Sequence, residues 1–370
     1  MGKKLPCHHT RTEMGDDGVC AEDSVNGGLD VWKSSDRAIS EADHLVMMVH
    51  GILGSTSDWK FAADQFVRRL PDKVIVHCSA CNMNSLTLDG VDVMGERLAE
   101  EVAEIVNRRP HIQKISFIAH SVGGLVARYA IGKLYRPPRR RHQEVCQSCI
   151  CNDNCRGTIC GLEAMNFITV ATPHLGSRGN KQVPFLFGVT AIEKFASHII
   201  HLIFRRTGRH LFLTDNDDGK PPLLQRMVDD LGDLCFISAL QAFKRRVAYS
   251  NAVHDHIVGW RTSSIRRNSE LPEWTDSSSE IYPHIVYEEL SKGENLEEIY
   301  TDATVLNGGY DTLEEKLVTA LTRLSWERVD VSFHNSKQRF AAHSLIQVKD
   351  SLIHSEGADV IDHMIDHFLI

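Results

Sequence analysis

The stretch Lys114-Ile-Ser-Phe-Ile-Ala119-His120-Ser121-Val122-Gly123-Gly124-Leu125 decides the fold. Residues 114–119 make the short apolar run of a strand buried on both faces, and 124–134 carry a helical pattern. A strand ending in a small residue, then x-Ser-x-Gly, then a helix is the nucleophile elbow. Its turn is strained, the serine hydroxyl stands at the tip, and small neighbours let strand and helix approach. Ala119 stands where the first glycine is usual, and a methyl group is tolerable there. Serine is also a favoured helix N-cap, so these residues alone leave Ser121 as either nucleophile or cap.

Upstream, His44-Leu-Val-Met-Met-Val-His50 is a second unbroken apolar run, stopped by Gly51. Helical spacing follows over 58–70, a short strand is expected at 73–78, and a helix over 90–109 closes at Pro110. Downstream, 166–171, 245–250 and 329–333 read as strands, about 262–300 as polar surface loop, and 358–370 as an amphipathic helix packed on the domain. Alternating strands and helices imply a mostly parallel sheet covered on both faces. The expected class is α/β, and with the elbow an α/β-hydrolase fold whose ligands sit at the carboxyl ends of the strands. One catalytic domain is expected over 41–370, after a flexible leader at 1–40 rich in Gly, Asp, Glu and Ser. Two insertions interrupt it: a Cys-rich one at 137–161, and one at 178–240 that is too long for an ordinary connection and is expected to form a cap or lid.

Serine is too weak an acid to attack unaided; a histidine must take its proton and a carboxylate must fix that histidine's tautomer. In this fold the chain order is Ser, acid, His. The acid is expected after the core strand next but one from the elbow, which points to Asp255; Asp330 lies inside a strand and is the poorer candidate. His334, His343 and His354 all follow the last strand, and His343 is preferred because its loop is long enough to reach back across the sheet. His50-Gly51-Ile52-Leu53-Gly54 sits where the fold builds its oxyanion hole, so the donors are assigned to the N–H groups of Ile52 and Val122. The bland reading of His50-Gly51 is a tight turn after a strand.

The formal net charge of -8 argues against a general nucleic-acid binder, which needs surplus Lys and Arg to neutralise phosphates. No run of about 18 apolar residues is present, so no membrane span is expected. Lys3 and Lys4 have no apolar stretch behind them, so no secretory signal is expected either. Ten cysteines in such a chain point to a reducing, cytoplasmic setting. No cofactor is expected. Cys146, Cys149, Cys151 and Cys155 invite a zinc reading, but their spacing matches no recognised pair of knuckles, and a reduced surface loop is the expectation.

Val49-His50-Gly51-Ile52-Leu53-Gly54, Ala119-His120-Ser121-Val122-Gly123-Gly124-Leu125 and Thr169-Val-Ala-Thr-Pro-His-Leu-Gly-Ser-Arg178, in this order, resemble the eukaryotic lipase-like "putative serine esterase" family, particularly its plant-type members. Asn251-Ala-Val-His-Asp255-His-Ile-Val-Gly-Trp260 and Ala342-His343-Ser-Leu-Ile-Gln-Val348 match the stretches that carry the family's acid and base. The resemblance runs from about His44 to the C-terminus. It implies Asp255 and His343 as triad members beside Ser121, and hydrolysis of lipid acyl esters as the activity. Apolar residues of the cap, from Phe185 to Phe204, would hold acyl chains and meet a membrane or lipid-droplet surface, with Arg205, Arg206 and Arg209 near headgroups; packing as core is the alternative. Two other functions fit the same residues: acyl transfer to an alcohol other than water, and a non-catalytic lipid-binding scaffold that kept the fold.

Overall fold

Side chains alternate between the faces of a strand, so an unbroken apolar run is satisfied only where both faces are covered. The structure, a computed structural model, describes residues 19–22, 29–33, 42–138, 156–177, 204–273, 280–291, 293 and 312–370. Within them nine strands form one sheet: β1 (Val19–Glu22), β2 (Leu29–Lys33), β3 (His44–Val49), β4 (Val74–Cys78), β5 (Lys114–His120), β6 (Glu163–Val170), β7 (Arg245–Asn251), β8 (Ile285–Ser291) and β9 (Trp326–Val331). Their order is β1-β2-β4-β3-β5-β6-β7-β9-β8. From β4 to β9 all neighbours are parallel; β1, β2 and β8 join the edges antiparallel. This is the α/β-hydrolase fold, with β5 and its elbow near the middle of the sheet.

The helices divide between the two faces. α2 (Val91–Arg108), α3 (Val122–Leu134), α4 (Phe236–Ala242) and α5 (Thr312–Thr322) cover one, whereas α1 (Lys60–Arg69) and α6 (Ala358–Asp366) cover the other. On β3, Leu45, Met47 and Val49 enter the first core, and Val46 and Met48 the second. Full burial of each such side chain is worth about 1.5–3 kcal/mol, which is why this run admits no surface register. One polar inset crosses the second face. His44 Nε2 lies 2.8 Å from Ser116 Oγ, which also accepts from Asn166 Nδ2 at 2.9 Å. Asn166 in turn pairs with both backbone groups of Leu369, and the His44 ring stacks on Phe368. Burial lowers the His44 pKa from 6.5 to about 4, so the ring is neutral at physiological pH.

Several boundaries differ from expectation. The polar region at 262–300 contains β8, an antiparallel edge strand; with only Ile285 of its residues buried, it lacks the apolar run that marks the central strands. The last central strand is 326–331 rather than 329–333, because buried Trp326 starts it and the polar Glu327 and Arg328 disguise the start. β1 and β2 fall inside the segment whose composition reads as a leader. The sheet's two short additions there offer a sequence pattern too brief to register. Of the cap expected at 178–240, residues 178–203 lie outside the described ones. The described remainder begins with helical residues 204–211, and Leu223, Leu224, Met227 and Phe236 are buried in the core under α3. Arg206 pairs with Asp92, and Arg209 with Asp217 at 2.5 Å. The Cys-rich insertion is described only at its ends, where Tyr135–Arg136 and Thr158–Ile159 pair antiparallel; Cys146, Cys149, Cys151 and Cys155 lie outside the described residues. Among the described residues no group of three or more His, Cys, Asp or Glu is placed to hold a metal ion, and no helix is long and apolar enough to cross a membrane.

Candidate active site

Ser121 stands at the N-cap of α3 with φ 53° and ψ -132°, the left-handed turn of an elbow, and makes no side-chain cap hydrogen bond. Its hydroxyl is therefore not consumed in capping the helix. The turn is tied to the sheet by the Ser121 N–H, which donates to the Val170 carbonyl of β6 at 2.8 Å, and is closed by the Gly124 N–H on the Ser121 carbonyl at 3.1 Å. Gly123 is required by the approach of α3 to β3: a Cβ there would lie 2.4 Å from the His50 carbonyl oxygen and 2.7 Å from that of Val49. The alanine at 119 is fully buried.

The turn after β3 lies against this elbow, since a Cβ on Gly51 would come within 3.0 Å of the Ser121 Cβ. It is held from several sides. His50 Nδ1–H donates to the Gly51 carbonyl at 3.0 Å, Gly54 N–H closes back on the same carbonyl at 3.1 Å, and Leu53 N–H reaches Thr87 Oγ1 at 2.9 Å. Among the described residues neither the Ile52 N–H nor the Val122 N–H is taken up by a hydrogen bond. Two backbone donors from two different elements thus have no partner among the described residues.

Asp255 follows β7 by four residues and is buried. Its Oδ1 accepts the N–H groups of Ile257 and Val258, both at 2.9 Å; its Oδ2 accepts Asn251 Nδ2 and His343 Nδ1, again at 2.9 Å. Burial alone pushes this carboxyl's pKa up, but the His343 ring and these hydrogen bonds outweigh it and hold the group below the ordinary carboxylate range. Because the carboxylate only accepts, His343 Nδ1 carries the proton, and Nε2 is left with its lone pair. His343 lies in a single helical turn, Ala342–Leu345, on the loop after β9.

The structure thus joins Asp255 to His343, and Ser121 to the Gly51 turn. The His343 ring also lies 4.5 Å, centroid to centroid, from that of His120, the residue next to Ser121. The two other histidines weighed for the base have local partners. His334 Nδ1 sits 3.1 Å from Ser332 Oγ, and His354 Nδ1 accepts the Asp350 N–H at 3.1 Å. Asp330, the other carboxylate, is bound to Arg266 and Trp260. Two contributors escape sequence reasoning. Asn251 orients the Asp255 carboxylate from within β7, and His120 touches the His343 loop; the only sequence signal for either is nearness to a motif residue.

The loop Thr172-Pro-His-Leu-Gly-Ser177 after β6 is fastened as tightly. Thr262 Oγ1 accepts the Leu175 N–H and donates to the Gly176 carbonyl, each at 2.9 Å. A glycine turn after β3, an elbow serine after β5 and a histidine–carboxylate pair after later strands, on a mostly parallel sheet, define a chain of the α/β-hydrolase class. Residues 39–265 match the family model "Putative serine esterase (DUF676)", and the chain belongs to this family.

Curated relatives include the "Putative lipase ROG1" of Saccharomyces cerevisiae, 29% identical over 244 residues, covering 64% of this chain and 31% of the relative. The "Putative lipase C4A8.10" of Schizosaccharomyces pombe is 27% identical over 240 residues, covering 62% of this chain and 27% of the relative. The chain therefore spans about a third or less of the length of these curated relatives. Among solved structures, the propeptide form of the Bacillus licheniformis lipase BlEst2 is similar at a TM-score of 0.37 and 15% identity, over 62% of this chain and 40% of that one.

Proposed function

We propose that this chain is a serine esterase that hydrolyses lipid acyl esters through an acyl-enzyme on Ser121. The observation that carries the reading is the 2.9 Å hydrogen bond from His343 Nδ1 to Asp255, made by a ring 4.5 Å from that of His120, the neighbour of an elbow serine whose hydroxyl caps nothing. In this mechanism His343 Nε2 takes the Ser121 proton as Oγ attacks the ester carbonyl. Negative charge then develops on the former carbonyl oxygen, where the N–H groups of Ile52 and Val122 stabilise it, each by about 3 kcal/mol on mutagenesis precedent. His343 returns the proton to the leaving alcohol, and the acyl-enzyme forms. Water activated by His343 repeats the sequence and releases the carboxylic acid. Asp255 stays ionised throughout and holds the imidazolium as it forms, a role favoured by its lowered pKa.

The lipid character of the substrate is supported by family membership and by the apolar rim. Leu53 and Phe340 are exposed, the first next to Ile52 on the turn after β3 and the second packed on His254 and His256, which flank Asp255. Such tips suit contact with a membrane or droplet surface. Fluorophosphonate labelling tests the reading: wild type should label on Ser121, and Ser121→Ala should not. Equal labelling of both would reject Ser121, and an unlabelled wild type inert towards esters of every acyl length would favour a binding scaffold. Product analysis with added alcohol separates hydrolysis from acyl transfer.

A further inference from the structure

One buried titratable side chain beside the site has no part in that mechanism. His120 is 4% exposed, and its Nε2 lies 2.8 Å from the backbone carbonyl oxygen of His343, across 223 residues of chain. A carbonyl only accepts, so Nε2 carries the proton and Nδ1 the lone pair. That lone pair has no hydrogen-bond partner and faces Gly51, where an added Cβ would lie 3.0 Å away. The ring's single hydrogen bond is therefore spent on the base loop, and its other edge packs on the oxyanion turn.

We propose that His120 is a positioning residue, whose Nε2–H holds the His343 carbonyl and so sets where the base stands relative to Ser121. This rests on the Ser121–His343–Asp255 reading above. His120 and Ser121 are consecutive, so the donor and the nucleophile ride on one elbow, fixed to β6 by the Ser121 N–H. His343 sits in a one-turn helix, which anchors its own backbone weakly. Two grips fix the base: Asp255 holds Nδ1 at the ring, and His120 holds the carbonyl at the root. Releasing the root leaves the ring free to move with the loop. Burial first, and then the nearby His343, lower the His120 pKa well below 6.5, so its ring adds no second cation beside the imidazolium that forms in the reaction.

The test compares His120→Phe, which keeps a ring and removes the donor, with His120→Gln, which presents an amide N–H at nearly the same reach. With a p-nitrophenyl ester, His120→Phe should lose about 100-fold in kcat with KM within about twofold, the usual scale for misplacing a catalytic group by about 1 Å. The rate of fluorophosphonate labelling should fall in parallel, and His120→Gln should recover most of both while the thermal midpoints of the two variants stay close. Wild-type rates in His120→Phe, equal loss in both variants, or a loss confined to KM would overturn the proposal. If His120→Phe does not fold, His120→Asn replaces it, because its shorter amide cannot reach the carbonyl; equal rates for the Asn and Gln variants would overturn the proposal. A wild type that labels places any such failure on His120 alone. A wild type that does not label removes the hydrolase reading, and this inference with it.

Discussion

Two buried carboxylates belong to neighbouring strands in different ways: Asp330 lies within β9, as register partner of Ser250 in β7, whereas Asp255 lies on the loop after β7, five residues beyond Ser250. Asp330 accepts Arg266 Nη1 on both oxygens, at 2.9 and 2.7 Å, and Trp260 Nε1 at 2.6 Å. Arg266 also meets Glu289, whose other oxygen reaches Arg328. That network locks α-helical turn 260–263, β8 and β9 together, and its guanidinium partner never gives up a proton. Asp255 is also buried and satisfied, but its partner is an imidazole, whose second ring nitrogen can take up or give back a proton. Burial and hydrogen bonding do not distinguish the structural carboxylate from the one proposed for catalysis; the partner's chemistry does.

The comparison breaks most sharply in paired substitutions. Asp255→Asn should reduce kcat about 10⁴-fold by letting His343 adopt the wrong tautomer, while urea unfolding shifts by only about 1 kcal/mol. A stability loss matching that of Asp330→Asn would place Asp255 among the structural groups. Asp330→Asn should behave oppositely, costing about 3 kcal/mol because a buried guanidinium loses the more deeply buried of its two carboxylate partners, with the rate per folded molecule kept. Urea melts and active-site titration together read both numbers. His44 extends the contrast to a buried base without a carboxylate. Its folded pKa of about 4 lies below the unfolded 6.5, so between those values the unfolded chain binds a proton that the folded chain refuses. Its stabilisation is complete above pH 6.5 and fades as pH falls towards 4, by about 3 kcal/mol in all. His44→Asn should flatten that limb of a stability–pH curve; an unchanged slope would refute the assignment. The smallest effect belongs to Arg69, a third exposed, which links α1 to Asp362 and Asp366 of α6. Arg69→Ala should cost under about 1 kcal/mol, and less at high salt, by thermal melts.

The central strands were legible because burial on both faces favours long apolar runs, as in 45–49 and 117–119, with polar residues admitted only where they pair with each other, as His44 does with Ser116. Ser121 was legible because the elbow needs a fixed local order of small residues. β8 was not, since an edge strand with one buried residue has no periodic pattern to show. Trp326 was masked by Glu327 and Arg328, whose charges are satisfied only by partners far along the chain: Arg245 for the first, and Glu289 for the second. Ordering by the fold pointed to Asp255 and His343, but their hydrogen bond spans 88 residues and follows only from the folded sheet. His120 is the clearest gap. It lies within the best motif of the chain, yet its partner is a backbone atom, which carries no sequence identity at all.

The left-handed backbone at Ser121 has one more consequence. A non-glycine residue held there costs about 1–3 kcal/mol, and that cost is borne by the pairing of β5 with β6 and by the seat of α3 against β3. On the mechanism proposed above, catalytic rate doubles as a gauge of how well the middle of the sheet is clamped.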